Sequence, residues 1–99
     1  MDVDKEVRQA VDTGKVVLGA DKSIKAVKLG QAKLVILASN CEEAVRADLV
    51  RYAGLAGIHV YNYAGDSAAL GLACGKPFFV SVMAVVDPGG SSILGIKGG

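Results

Sequence analysis

The chain has 99 residues, of which 52% are apolar and 21% charged, with thirteen glycines and no tryptophan. That length holds one domain around a single modest core, so residues 1–99 are expected to form one unit, and the composition excludes disordered and fibrous classes. A formal net charge of +1 excludes a general electrostatic case for nucleic acid, whose usual footprint is a domain pI above about 9.

MDVDKEVRQ, at the start, is acidic and polar where a secretory signal is basic and then apolar. No apolar run approaches membrane-spanning length, so a cytosolic protein is expected. Val3, Val7, Ala10 and Val11 recur at helical spacing and Thr13-Gly14 supplies a stop, which predicts an amphipathic first helix. KVVLG (15–19) reads as a short strand, and 23–29 as a helix ended by Gly30. On its wheel Ala20, Ile24 and Val27 share one arc, while Lys22, Lys25 and Lys28 share another. KLVILA (33–38) is almost continuously apolar, as suits a strand covered on both faces. Ser39-Asn40 offers a cap for the longest helix, 42–57, whose two leading glutamates suit the positive end of the helix dipole.

IHVYNY (58–63) alternates and reads as a strand. GDS (65–67) caps a helix that runs through Cys74 and ends at Gly75. FFVSVMAVVD (78–87) is expected as the last main strand and DPGG (87–90) as a turn; SSILGI adds a short strand or lies across the sheet, and the final KGG frays. Strands alternating with helices at this spacing predict an α/β fold, a three-layer α/β/α sandwich around a mixed, mostly parallel sheet of about four strands. The opening helix has no strand before it, so one strand is expected antiparallel to its neighbour. Ligands in such sheets collect where strand ends meet helix N-termini, which picks out 19–22 and 38–40.

GKVVLGADKSIKAVK (14–28) has the outline of a phosphate-binding loop, but Ala20 and Asp21 stand between Gly19 and Lys22, where a Walker A motif allows nothing. Gly14 precedes the strand and Gly19 ends it, so the two cannot wrap one phosphate. GDS matches the nucleophile block of one class of esterases, yet a serine nucleophile needs a base oriented by a third group. The only histidine, His59, lies in a strand with no evident carboxylate partner. An N-cap at Asp66 or Ser67 is the preferred reading. Cys41 and Cys74 form no CxxC, and with one histidine they supply no recognisable zinc set, so both are read as buried thiols. His59, Tyr61 and Tyr63 alternate on one strand face, where they either stack on bases or, more commonly, cover the sheet. No metal, cofactor or catalytic constellation is expected, and no enzyme.

Between 13 and 41 stand Lys15, Lys22, Lys25, Lys28 and Lys33 against the single Asp21, which leaves a net negative balance for the rest of the chain. The remaining candidate surface combines Gly19, these helix lysines and Ser39-Asn40. A glycine admits a polyanion close to the backbone, lysines neutralise phosphates, and asparagine offers a paired donor and acceptor to a base edge.

DTGKVVLGADKSIKAVKLGQAKLVILASN, followed by RYAGLAGIHVYNYAGDSAALGLACGKPFFVSVMAVVDPG, resembles the L-thirty-e family of large-subunit ribosomal proteins, part of a wider superfamily of kink-turn RNA binders with an α/β/α sandwich. The match runs over 3–94, with separated blocks agreeing in order and spacing. The resemblance implies that RNA lies across the loop after the first strand, the start of the helix after the second, and the loop before the last main strand. By the same resemblance Gly19 admits the RNA, Lys22 contacts phosphate, Lys25 matches a basic position shared more widely, Asn40 reads a guanine edge, and Phe78 packs on an extruded base. Lys28 and Arg46 are further backbone contacts it suggests. Many superfamily members carry Asn-Glu where this chain has Asp21-Lys22, which points to the ribosomal branch, and Asp21 is expected to cap its helix and turn away from phosphate. The resemblance implies a non-enzymatic constituent of the large ribosomal subunit, cytoplasmic and ribosome-associated. It would bind an rRNA kink-turn or purine-rich internal loop beside other ribosomal components and be monomeric when free. The alternatives are a core protein of a guide or processing ribonucleoprotein and, remotely, a small hydrolase using Ser67.

Overall fold

The computed structural model describes residues 1–99. In chain order the elements are α1 (Val3–Thr13), β1 (Lys15–Leu18), α2 (Ala20–Lys28), β2 (Leu34–Leu37), α3 (Glu43–Ala56), β3 (His59–Asn62), α4 (Ser67–Ala73), β4 (Val82–Asp87) and a 3-10 turn, Ile93–Gly95. Side chains along a strand alternate between the sheet faces, and this sorts the interior into two cores. Leu34, Ile36, Met83 and Val85 meet α1 through Val7 and Ala10, and α4 through Leu70 and Cys74; Ile93 and Ile96 lie across the same face. Val35, Leu37, Val82 and Ala84 meet Ala26 and Val27 of α2 and Leu49 of α3 on the other. Three layers result, as expected. Ser23 is fully buried in α2, and its hydroxyl has no partner.

The sheet order is β1-β4-β2-β3. β2 and β3 are parallel, and β4 is antiparallel to both β1 and β2. Three strands thus share one direction, but the single reversed strand lies between two of them, so most pairings are antiparallel, in contrast to the mostly parallel sheet that the alternation of elements predicts. The physical reason lies in burial. Leu34–Leu37 is buried throughout and Val82–Asp87 through Val85, so both require cover on two faces and take the centre, whereas β1 and β3 are partly exposed and form the edges.

Two other expectations change. α3 begins at Glu43 after Glu42, with no side-chain cap bond, so Ser39-Asn40 does not cap it. β4 begins at Val82, not at Phe78: Ser81 only extends the β2–β4 register by one bond, its carbonyl accepting from Ala38 N–H (2.9 Å), and before it the backbone leaves the sheet, Val80 N–H donating to the Ser67 carbonyl (3.0 Å). Asp66 caps α4 by accepting from Ala69 N–H (2.9 Å).

Candidate nucleic-acid interface

The reversed direction of β4 creates the site. Leu18 pairs with Met83 and Leu37 with Val82, so the entry to β4 lies beside the exits of β1 and β2. Gly19, 38–40 and 78–81 therefore meet at one end of the sheet. Their backbones are stitched together: Gly19 N–H donates to Val82 O (2.8 Å) and Ser39 N–H to Gly65 O (2.9 Å), alongside the two bonds from 80–81. An open cleft of about 300 Å³ lies there, lined by Leu18, Gly19, Cys41, Glu42, Phe78 and Phe79 among others.

Gly19 has φ 105°, a conformation that side-chain-bearing residues rarely adopt, and this lets it turn the chain directly from β1 into α2. A Cβ at this position would meet nothing within 4 Å, so the backbone here is bare. Lys22 and Lys25 are exposed on α2, Lys22 in the first turn after this lip and Lys25 in the last turn, sharing a surface with Asp21 and Lys28. Lys28 is displaced toward α3, with its Nζ 4.5 Å from the centre of the Tyr52 ring. Asp21 is exposed in the first turn of α2, but Gly19 holds the cap position and no side chain caps the helix, contrary to expectation. Lys15 and Lys33 are at the other end of the sheet, so the lysines that are close in sequence do not form one cluster.

Phe78 is 54% exposed and Phe79 77%, an apolar wall of which the sequence reveals only Phe78. Phe79 is hidden by the strand composition of 78–81; adjacent phenylalanines directly after Pro77 are the available signal. Asn40 is exposed, yet its amide is held: Oδ1 accepts from Ser67 N–H (2.8 Å) and Nδ2 donates to Ser67 Oγ (3.2 Å). Arg46 is half-buried and directed inward, with its guanidinium donating to Ala38 O (2.9 Å) and to Asn62 Oδ1. It braces the loop that carries Asn40. Glu42 brings the only carboxylate that lines the cleft.

The remaining candidates fall into structural roles. Cys41 and Cys74 are buried, and burial pushes both thiols up, Cys74 to about 11. Tyr61 packs against the core and Tyr63 is buried in it, donating to the Asp4 carboxylate; burial first, and then Asp4, raises the Tyr63 hydroxyl above the usual phenol range. These tyrosines cover the sheet. His59 begins β3, at the end of the sheet away from Ser67, so the GDS block has no base.

Fold and site together define a small α/β/α binding module with a glycine-lipped, lysine-flanked, aromatic-walled cleft at one end of its sheet. The family described as Ribosomal protein L7Ae/L30e/S12e/Gadd45 matches residues 1–95, and the chain belongs to that family. It is 50% identical over 97 residues to the large ribosomal subunit protein eL30 of Methanosphaera stadtmanae, covering 98% of this chain and 99% of that one. The eL30 protein of Methanothermobacter thermautotrophicus is 48% identical over 98 residues, covering 99% and 100% of the two chains. A solved structure of a protein with unknown function from Bacillus halodurans matches with a TM-score of 0.84 at 30% identity, covering 95% of this chain and 93% of that one. The family resemblance read from the residues holds over essentially the whole chain.

Proposed function

We propose that this protein is a structural, non-enzymatic RNA-binding constituent of the large ribosomal subunit that seats a kink-turn or purine-rich internal loop of rRNA. What carries the reading is the meeting of Gly19 and Phe78 in one cleft, with Lys22 in the turn of α2 that follows Gly19 and Asn40 on the adjoining 38–40 loop. Its near-full-length likeness to archaeal proteins named as large-subunit eL30 supports the ribosomal setting. The relatives so named are ribosomal proteins, which agrees with a binding role and not a catalytic one.

The chemistry follows from the parts. Side chains cannot read the deep groove of A-form RNA, so recognition falls to shape, phosphates and unstacked bases. The bare backbone at Gly19 admits a phosphate, and Lys22 and Lys25 neutralise the strand beside it. Phe78, with Phe79, offers a flat apolar surface to a splayed base, an interaction worth about 1–3 kcal/mol per base. Glu42 repels phosphate on the α3 side, so the RNA backbone passes on the α2 side of the cleft. Arg46 acts through the loop it braces, and Lys28 adds charge at longer range. The free protein is a monomer in the cytoplasm until it joins the ribosome.

Asn40→Ala should weaken binding to a kink-turn RNA by about 1–3 kcal/mol and leave affinity for a straight duplex nearly unchanged. Equal losses on both RNAs would remove base reading from Asn40. Co-sedimentation with large subunits at moderate salt separates the ribosomal role from service in a guide or processing particle, whose protein would not follow them.

A further inference from the structure

The GDS block has no catalytic partner, but its serine joins the 38–40 loop to the 78–81 segment. Ser67 is 7% exposed, and its N–H, hydroxyl and carbonyl are all engaged. The N–H and Oγ hold the Asn40 amide, while the carbonyl accepts from Val80 N–H, just after Phe78 and Phe79. A backbone N–H can only donate, so the oxygen of the Asn40 amide must face Ser67 N, and a flipped amide would bring two donors together. The two bonds occupy the edge of the amide where its donor and acceptor lie side by side. On the exposed side Asn40 keeps one Nδ2 hydrogen and one Oδ1 lone pair, which diverge.

We infer that Ser67 is a positioning residue for RNA recognition: it clamps the Asn40 amide so that a single N–H donor, and not a paired donor–acceptor edge, faces the bound purine. The inference rests on the RNA-binding reading and deepens it. Guanine O6 satisfies a fixed N–H, whereas the amino group that adenine carries at the same place opposes it. A clamped amide also has less freedom to lose when RNA binds.

The test uses Ser67→Ala, which keeps the backbone N–H and removes the hydroxyl, and Ser67→Thr, which restores a hydroxyl. Both are measured, with Asn40→Ala and the Asn40→Ala/Ser67→Ala double variant, against a kink-turn RNA and a straight duplex, after urea unfolding has shown each variant folded. Ser67→Ala is expected to lose about two- to tenfold in kink-turn affinity, the scale of one hydrogen bond, with duplex affinity unchanged. Ser67→Thr is expected to recover most of that loss, and Ser67→Ala to add nothing once Asn40 is gone. Retained affinity in Ser67→Ala, or a loss that adds fully to that of Asn40→Ala, overturns the clamp while leaving RNA binding intact. Wild-type affinity in Asn40→Ala overturns the base-reading role instead. The clamp is also read without RNA: the two Asn40 side-chain amide proton resonances of the free protein should move toward those of a solvated amide in Ser67→Ala, and unmoved resonances overturn it.

Discussion

Gly14 and Gly19 stand at the two ends of β1, and they meet opposite demands. Gly14 has an extended backbone that any residue could adopt, but a Cβ there would fall onto the Asp87 carbonyl and lie 2.7 Å from Pro88 C and 2.8 Å from Gly89 N. Around it the sheet end is sealed. Gly89 N–H bonds Asp87 Oδ1 (2.9 Å), Gly90 N–H bonds Thr13 Oγ1 (3.0 Å), and the Ser91 hydroxyl bonds Glu6 O (2.7 Å). Gly19 is the reverse case, a residue with free space where a Cβ would stand and a backbone angle that other residues resist. One glycine is required by contact and the other by conformation.

Gly14→Ala should break the sealed end and produce the largest effect. Because the obstacle is backbone on a neighbouring turn, no side-chain rotation relieves it, and a loss of roughly 3 kcal/mol is expected from overpacking. Urea unfolding measures this, with kink-turn affinity of the folded protein unchanged. An unmoved midpoint would mean that the 87–89 turn yields freely and that the two ends differ less than their geometry indicates.

Gly19→Ala should be milder for stability and severe for binding. Holding alanine at that backbone angle costs about 1–3 kcal/mol, with no clash to add to it. The methyl group occupies the lip where a phosphate would approach, so kink-turn affinity should fall by more than the straight-duplex affinity does. Full RNA affinity in a measurably destabilised protein would show that nothing approaches this lip.

The contrast between the ends is only half legible from the residues. Gly19, Lys22 and Lys25 are readable because they are neighbours: one strand end and one helix face place them, and helical spacing alone brings the lysines together. The runs LVIL and VMAVV mark β2 and β4 as strands with both faces covered. Which strands become neighbours is a tertiary choice, and the insertion of β4 between β1 and β2, which carries Phe78 to Gly19, leaves no local trace. The 78–81 segment has strand composition, but only Ser81 continues a ladder, and Val80 N–H bonds to Ser67 instead. Asn40 looks like a helix cap because the next helix is the only partner visible nearby, whereas its actual partner lies 27 residues on. Proximity in sequence misleads in the other direction for Lys15 and Lys33, which count with the α2 lysines along the chain and sit at the sealed end.

Those two groups of lysines give the finest test of the contrast. Each phosphate neutralised by a lysine releases condensed counterion, so removing one such lysine changes the slope of log affinity against log salt by about 0.7–0.9. Lys22 stands in the first turn of α2 beside the bare lip, and Lys33 is also exposed, just before β2 at the sealed end. Neutralising either residue changes the net charge by the same amount, so long-range attraction cannot tell them apart, and only a direct contact can. Lys22→Gln should therefore flatten the slope on a kink-turn RNA by about one contact, while Lys33→Gln leaves it unchanged. Equal slopes for the two variants would mean that the protein attracts RNA by its overall charge, and that the open end is no more a phosphate site than the sealed one.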